Sequence, residues 1–249
     1  MTGRNPIEDL AHLRHEFGEH GGVNMSVEAS STFTVIDPET MPDLFQGRAG
    51  PDKGCYLYGR HFNPTVFNLG RQMAALAGTE AGYCTASGMG AISGVILGLC
   101  NAGDEIVASN AIYGGSYALM HDFLPAKADI HTRFVDITDI DAVRAAITDK
   151  TRLIFTESVS NPTLRLANMP KLSEIAKEKG VKLVVDNTFS PLILSPAALG
   201  ADVVVHSLTK FISGASDVIA GAICGSEEFI GQLMDLHLGS LMLLGPTMD

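Results

Sequence analysis

The fold of this chain follows from two short stretches, Lys182-Leu183-Val184-Val185-Asp186 and Ala201-Asp202-Val203-Val204-Val205-His206. Each is an apolar run rich in β-branched residues that ends in a polar residue, which is typical of a buried strand in a parallel sheet. Lys210 comes shortly after the second run, directly behind Ser207-Leu208-Thr209. It should therefore lie at the sheet edge where α/β enzymes place their ligands. This is a poor position for a solvated surface charge, so we expect Lys210 to be partly buried.

The same alternation of strands and helices extends along the chain from about residue 63, where Asn63-Pro64 is typical of a capped helix start. Strands are predicted at Gly82–Thr85, Glu105–Ser109, Ile130–Val135, Leu153–Glu157, Lys182–Asp186, Asp202–His206 and Ile219–Cys224. Helices are predicted at Met89–Cys100, Gly115–Phe123, Asp139–Ala146 and Met169–Lys179. Right-handed crossovers between such strands give an α/β fold, with a mostly parallel sheet between layers of helices. Residues 1–60 carry no such pattern and are interpreted as an irregular N-terminal arm.

Lys210 and Asp186 form a pair with a recognisable chemistry. A lysine amine condenses with aldehydes, and partial burial lowers its pKa and so makes it more nucleophilic. An acid at the end of the neighbouring strand can keep a pyridine nitrogen protonated. Together they suggest pyridoxal phosphate, bound through a Schiff base at Lys210 and paired with the carboxylate of Asp186. The alternatives are that Asp186 caps the turn that follows it and that Lys210 is a plain anion binder.

A phosphate site is predicted where Ala86-Ser87-Gly88-Met89-Gly90-Ala91 joins a strand to an apolar helix. Glycines let the backbone approach an anion, and the free N–H groups of the helix start point at it. Ser87, Gly88 and Met89 are the candidate contacts; ordinary close packing of helix on sheet is the alternative. The stretch is not a dinucleotide fingerprint, because Ser93 stands where the third glycine is required. A nicotinamide oxidoreductase is therefore disfavoured.

Further candidates follow the other strands. Tyr113, before Gly114-Gly115, can lay its ring on a planar cofactor, although without the other motifs a half-buried tyrosine beside a turn explains the pattern better. Asn187 and Thr188 can orient the Asp186 carboxylate, and Ser207 and Thr209 can donate to the same phosphate as Gly88 and Met89.

Composition narrows the class of protein. The formal net charge of −11, without a basic stripe, argues against nucleic acid or an anionic membrane as a partner. No apolar segment approaches the ~18 residues of a membrane span. The 4 cysteines contain no C-x-x-C pair, so neither a metal site nor a disulfide framework is predicted, and a cytoplasmic location is expected.

With these residues placed, the chain resembles the Cys/Met-metabolism family of fold-type I pyridoxal-phosphate enzymes. The resemblance runs from about residue 14 to the end of the chain. The stretches that carry it are YGRHFNPT (58–65), ASGMGA (86–91), YGG (113–115), SNPT (160–163), VVDNTF (184–189) and HSLTKFISGASDVIAG (206–221). Within the family, residues 14–26 and 239–248 are most similar to the plant-type methionine γ-lyase branch.

The resemblance implies a role for each matching residue. Lys210 would hold the cofactor and then move substrate protons, and Tyr113 would stack on the ring and assist departure of the γ-substituent. Asn161 would lie near the ring hydroxyl. Tyr58 and Arg60 would reach the phosphate of a neighbouring subunit, so that the arm of residues 1–60 serves a homo-oligomer, a dimer of dimers.

The resemblance also implies a domain organisation and a reaction. Residues 61–249 would form the cofactor-binding large domain, and the family's smaller C-terminal domain would be absent. The implied activity is a carbon–sulfur lyase acting on a small sulfur amino acid, with L-methionine converted to methanethiol, 2-oxobutanoate and ammonia. The alternatives are transsulfuration, as in cystathionine γ-synthase or γ-lyase, and a catalytically incomplete cofactor-binding fragment.

Overall fold

The computed structural model describes residues 5–12, 21–23, 25–35, 37–46, 48–51 and 55–248. These residues form a 7-stranded sheet. Its strands are Ala81–Thr85 (β1), Glu105–Ser109 (β2), His131–Val135 (β3), Thr151–Glu157 (β4), Lys182–Asp186 (β5), Val203–Ser207 (β6) and Gly221–Gly225 (β7). In space the order is β1-β7-β6-β5-β4-β2-β3. Strand β7 is antiparallel to both of its neighbours, and the other pairings are parallel. The predicted mostly parallel sheet is therefore confirmed.

Helices cover both faces of the sheet. They are Pro6–His12 (α1), Met41–Phe45 (α2), Pro64–Ala77 (α3), Gly88–Leu99 (α4), Gly114–Ala118 (α5), Leu124–Ala128 (α6), Ile140–Ala146 (α7), Met169–Lys179 (α8), Glu227–Leu233 (α9) and Ser240–Leu244 (α10). Residues of α4, α9 and α10 form one buried cluster with the face of the sheet that carries Val203, Val205 and Ile223. On the opposite face, α8 packs against Leu183 and Val185, and α3 packs near Val204. The result is a three-layer α/β/α arrangement.

Local sequence explains where the long helices begin and end. The side chain of Asn63 accepts hydrogen bonds from the N–H groups of Thr65, at 2.8 Å, and Val66, at 3.3 Å, which caps α3. Helix α3 then ends at Gly78, whose φ of 88° lies in the left-handed region that favours glycine. In the same manner, Asn168 caps the start of α8 and Gly180, with a left-handed backbone, ends it. The start of α3 and both ends of α8 therefore lie where the sequence predicted them.

Two sequence predictions need correction. The N-terminal arm is not wholly irregular, because α1 and α2 form within residues 1–60. Both helices are short, so they show too few turns for a recognisable hydrophobic period. The helix predicted at Gly115–Phe123 is divided into α5 and a π-helical turn at Leu119–Phe123, after which α6 begins. A π-turn has the composition of an ordinary helix, so the sequence alone does not predict it.

Across the part of the chain that the structure describes, no helix is both long and apolar enough to cross a bilayer.

His206, on β6, is a deeply buried titratable side chain. It is 1% exposed, and within the described residues its ring nitrogens make no hydrogen bond of good geometry, although the backbone of Asn187 offsets part of the effect of burial on its pKa. Burial disfavours the charged imidazolium and lowers the pKa of His206 to about 4. The unfolded chain protonates this ring near its ordinary pKa of about 6.5, so the unfolded state binds more protons between the two values. Folding stability therefore falls as the pH drops below about 6.5, and the loss continues to about pH 4.

We expect His206→Leu to flatten this pH dependence. Between about pH 8 and pH 5, the free energy of unfolding of the wild-type chain should fall by about 2 kcal/mol more than that of the variant. Urea unfolding across this range measures the difference. His237→Gln, at an exposed histidine, serves as the control and should follow the wild type. Parallel curves for His206→Leu and the wild type would contradict the assignment.

Candidate active site

A cavity of about 520 Å³ opens at the edge of the sheet where β4, β5 and β6 end. Of the residues predicted from sequence, those that line it are Ser87, Gly88, Met89, Tyr113, Asn161, Asp186, Thr188, Ser207, Thr209 and Lys210. They come from segments far apart in the chain, which the parallel strands bring to one edge. Ile92, Glu157, Val159, Phe189, Phe211 and Ile219 complete the lining and were not singled out from sequence.

The first turn of α4 forms one end of the cavity. Ser87 caps this helix, with its Oγ accepting from the N–H of Gly90 at 3.0 Å. The N–H groups at the start of a helix have no acceptor within the helix, so those of Gly88 and Met89 are available to an anion. A Cβ on Gly88 would lie 2.8 Å from Cβ of Ser207, so glycine lets α4 approach the end of β6. This end of the cavity has the donors and the shape of a phosphate site.

Gly221, in β7, packs directly against the backbone of Ser87 at this end of the cavity. The sequence did not single it out. A Cβ at this position would lie 2.2 Å from the carbonyl oxygen of Ser87, a backbone atom that cannot move without displacing the helix start. In the sequence Gly221 is simply a glycine within the predicted strand Ile219–Cys224, and a glycine occurs in a strand for many reasons.

We expect Gly221→Ala to lower the free energy of unfolding by about 1–3 kcal/mol, because the methyl group must push β7 away from Ser87. The same displacement should weaken binding of a phosphorylated ligand in the cavity. Urea unfolding and ligand titration measure the two effects. Gly231→Ala is the matched control, since a Cβ there meets nothing within 4 Å. Equal stability of the two variants would show that β7 moves freely.

Asp186 is the buried acid of the site. Its relative exposure is 9%, and burial raises the pKa of its carboxyl above the ordinary value. Thr188 donates to the Oδ1 atom twice, from its N–H at 2.9 Å and from its hydroxyl at 2.6 Å. The same hydroxyl accepts from the N–H of Ser207 at 2.7 Å. Thr188 thus fixes the acid relative to the end of β6. Asn187, also expected to orient the acid, instead donates to the carbonyl oxygen of Leu194 and accepts from the hydroxyl of Ser190.

Lys210 lies at the mouth of the cavity in the segment that follows β6. Its side chain is exposed, so the partial burial expected from sequence is wrong for this chain. The reason is local: after Ser207 the backbone leaves the sheet as a short helical turn, and Lys210 departs from helical geometry within it, with φ −101° and ψ −114°. The lysine is thus carried out of the sheet layer, although it still lines the cavity.

Thr209 is less available than the sequence suggested. Its hydroxyl donates to the carbonyl oxygen of Ala220 and accepts from the N–H of the same residue, both at 3.1 Å. In this arrangement the hydroxyl proton is directed at Ala220. Ser207 is therefore the better placed hydroxyl donor of this segment.

Tyr113 stands at the start of α5 with half of its surface exposed, at 50%. A Cβ on Gly115 would lie 2.5 Å from Cε1 of the tyrosine, so the absence of a side chain at 115 lets the ring fold back over the helix start. An exposed, flat side chain on the wall of a cavity is well suited to stack on a planar ligand.

Tyr58 and Arg60 do not line the cavity. The guanidinium of Arg60 lies 5.6 Å from the centre of the Tyr58 ring, and its Nη1 donates to the carbonyl oxygen of Met242 at 2.8 Å. Since their expected contact is with a second subunit, their role in cofactor binding stays a prediction.

The family described as Cys/Met metabolism PLP-dependent enzyme matches residues 10–246 of this sequence. The chain belongs to this family. Its cofactor is therefore pyridoxal 5′-phosphate, and the resemblance seen in the sequence is confirmed.

Relatives within the family act on sulfur amino acids. Methionine gamma-lyase of Arabidopsis thaliana is 61% identical over 98% of this chain and 56% of its own length. L-methionine gamma-lyase of Pseudomonas putida is 36% identical over 94% of this chain and 59% of its own length. The chain thus spans a little over half the length of these curated relatives.

The fold agrees with solved structures of the family. A putative O-acetylhomoserine (thiol)-lyase of Campylobacter jejuni, solved with N′-pyridoxyl-lysine-5′-monophosphate, is 30% identical and superposes with a TM-score of 0.85. The match covers 92% of this chain and 55% of that one. The fold predicted from sequence, a fold-type I large domain, is confirmed.

Proposed function

We propose that this chain provides the cofactor-binding domain of a lyase of sulfur amino acids, with L-methionine as substrate and methanethiol, 2-oxobutanoate and ammonia as products. The observation that carries the proposal is one cavity that gathers a lysine, a buried acid, an exposed tyrosine and a helix N-terminus. The choice of methionine rests on the 61% identity to the Arabidopsis thaliana methionine gamma-lyase.

The buried carboxylate of Asp186 fits the pyridine ring of the cofactor. Both hydrogen bonds from Thr188 fall on Oδ1, and no described residue donates to Oδ2. Burial raises the pKa of this carboxyl, and among the described residues only the two hydrogen bonds from Thr188 oppose that effect, with no contribution from a cation. A buried acid of this kind needs a positively charged hydrogen-bond donor, and a protonated pyridine nitrogen supplies one. We assign Asp186 to this nitrogen and Thr188 to the orientation of the acid.

The opposite end of the cavity fits the phosphate. The N–H groups of Gly88 and Met89 and the hydroxyls of Ser87 and Ser207 would bind its oxygens, with Thr209 contributing if its hydroxyl turns away from Ala220. Tyr113 would cover one face of the ring, and Asn161 would lie beside the ring hydroxyl.

When bound, pyridoxal phosphate withdraws electrons from the amino-acid carbons attached through its aldehyde carbon, which makes their protons acidic. The protein residues supply the proton transfers. Lys210 lines this cavity, and its Nζ would accept the Cα proton and then move the Cβ proton. The hydroxyl of Tyr113 would assist departure of the γ-thiolate. Phe189 and Phe211, whose ring centres are 5.2 Å apart, give the mouth an apolar rim suited to a thioether side chain.

The second candidate function is transsulfuration, with cystathionine as substrate or product. Cystathionine gamma-lyase of Bacillus subtilis is 39% identical over 88% of this chain and 56% of its own length. The residues that line the cavity serve cofactor chemistry that both reactions share, so product identity must separate them.

We also propose a homo-oligomer, a dimer of dimers, in which the arm of residues 1–60 brings Tyr58 and Arg60 to the phosphate of a neighbouring subunit. An arginine stacked on a tyrosine and anchored to a backbone carbonyl suits an anion site at a subunit boundary. A cytoplasmic location accords with the buried free thiols of Cys84, Cys100 and Cys224.

Incubation of the chain and pyridoxal phosphate with L-methionine tests the proposal. We expect equal amounts of methanethiol and 2-oxobutanoate, and much less of both from Asp186→Asn. Consumption of cystathionine without attack on methionine would favour transsulfuration. A violet-edge absorbance band without turnover of either substrate would show a chain that binds the cofactor but is catalytically incomplete.

A further inference from the structure

Glu157 is a buried carboxylate in the cavity wall to which the proposed chemistry assigns no role. It is the last residue of β4 and is 7% exposed. Its Oε1 accepts from the backbone N–H of Tyr113 at 2.7 Å, and its Oε2 accepts from the backbone N–H of Asn161 at 2.9 Å. One side chain thus joins the loop after β2 to the loop after β4.

The two loops carry different parts of the proposed ring site. Tyr113 begins α5 and would cover the ring face, whereas Asn161 would meet the ring hydroxyl. The position of each loop therefore depends on the same carboxylate. A carboxylate suits this task because both of its oxygens accept hydrogen bonds, whereas the amide of a glutamine would turn an NH₂ group toward one of the two N–H donors.

The hydrogen bonds of Glu157 favour a positioning role over a role in proton transfer. Both oxygens of Glu157 accept hydrogen bonds from backbone donors of the two loops, which is what a positioning residue requires. The other titratable groups in the cavity lining are Asp186, which is its Cα partner on β5, and Lys210 and Tyr113. Of these, Asp186 carries the same negative charge as Glu157 and so disfavours the ionisation of Glu157.

We propose that Glu157 is a positioning residue that ties the Tyr113 loop to the Asn161 loop and thereby sets the wall against which the cofactor ring stacks. This inference rests on the proposed function in so far as the ring lies between these loops. The tie itself is a property of the chain without cofactor.

The strength of the tie depends on pH. Burial and, to a smaller extent, the charge of Asp186 together raise the pKa of Glu157 to about 7, against the opposing effect of the two backbone hydrogen bonds. Ionised Glu157 accepts both bonds at full strength. Protonation turns one oxygen into a hydroxyl and weakens the bond to one loop. The tie is therefore complete above about pH 7 and loosens as the pH falls through this value.

The first test uses hydrogen exchange in the chain without cofactor. In Glu157→Gln, we expect the amide protons of Tyr113 and Asn161 to exchange about tenfold faster, as loss of a charge-assisted hydrogen bond implies. Glu105→Gln is the matched control, because Glu105 lies at the other end of β2 and contacts Arg133 and Thr148. Unchanged protection of both amides in Glu157→Gln would overturn the proposal.

The second test needs no substitution, which keeps it decisive if the variant folds poorly. In the wild-type chain, exchange of these two amides, corrected for intrinsic base catalysis, should speed up as the pH falls through about 7. Glu105→Gln should show the same transition. A flat profile in the wild type would overturn the pH-dependent tie.

The third test measures how the ring of the bound cofactor is held. With pyridoxal phosphate added, Glu157→Gln should keep its violet-edge absorbance but lose at least half of the visible circular dichroism, which reports how the ring is held. Full circular dichroism in the variant would show that the tie does not set the ring wall. Absence of absorbance in the wild type would refute cofactor binding, while the exchange results would still decide the role of Glu157.

Discussion

Lys210→Ala is expected to abolish the violet-edge absorbance band of the chain with pyridoxal phosphate. Alanine has no amine to bond with the aldehyde carbon, and the substitution also removes the group that we propose moves the Cα and Cβ protons. Turnover of methionine should therefore fall by at least about a thousandfold, as is usual when a group that is both nucleophile and base is removed. Absorbance spectra and methanethiol release measure the two effects.

Two further variants separate covalent attachment from simple anion binding. Lys210→Arg keeps a cation for phosphate but cannot form the covalent bond, so it should retain some cofactor affinity and lose the band. Lys127→Ala removes an exposed lysine of α6 and should resemble the wild type. Wild-type behaviour of Lys210→Arg would show that Lys210 only binds an anion. Borohydride reduction followed by mass spectrometry should place the cofactor on the peptide that contains Lys210.

Asp186→Asn is expected to lower turnover by about a hundredfold to a thousandfold, the range seen when a preorganised electrostatic contact is lost from a buried site. The amide can still accept from Thr188 through Oδ1, but its NH₂ group would face the N–H of a protonated pyridine nitrogen, so that two donors meet. The nitrogen should then lose its proton and the ring its electron-withdrawing power. Steady-state kinetics, together with the dissociation constant for pyridoxal phosphate, measure the change.

Asp186→Ala should weaken cofactor retention and activity together, because it removes both the charge and the contact to Thr188. Asp141→Asn, at an exposed acid in the first turn of α7, controls for the loss of a negative charge. Full activity in either Asp186 variant would show that the ring nitrogen is not paired with this acid.

The central strands were predictable because burial on both faces leaves an uninterrupted apolar run. Lys182–Asp186 and Glu105–Ser109 lie where the sequence placed them. The antiparallel direction of β7 was not predictable, since an apolar run reads the same in a strand of either direction. The outward turn of Lys210 was missed for a related reason: the backbone after a strand is decided by packing with distant segments, and not by the residues of the turn alone.

Most of the site was predictable from a single rule, that polar residues at the carboxyl ends of parallel strands meet at one edge. Glu157 obeys the same rule and could have been found by it. It ends a predicted strand as Asp186 does, and the two are Cα partners in the sheet. Gly221 had no comparable signal, because its role depends on the approach of a carbonyl group from residue 87.

The position of β7 has a consequence for how the chain acquires its site during synthesis on the ribosome. This strand comes last in sequence but lies between β1 and β6, so β1 has no neighbour in the described sheet until β7 has emerged. The loop after β1 carries Ser87, and Gly221 must lie behind it. Early strands can therefore pair with one another while the phosphate end is still incomplete. Closure of the cofactor site should be among the last events of folding, because it requires a contact between residues far apart in the chain.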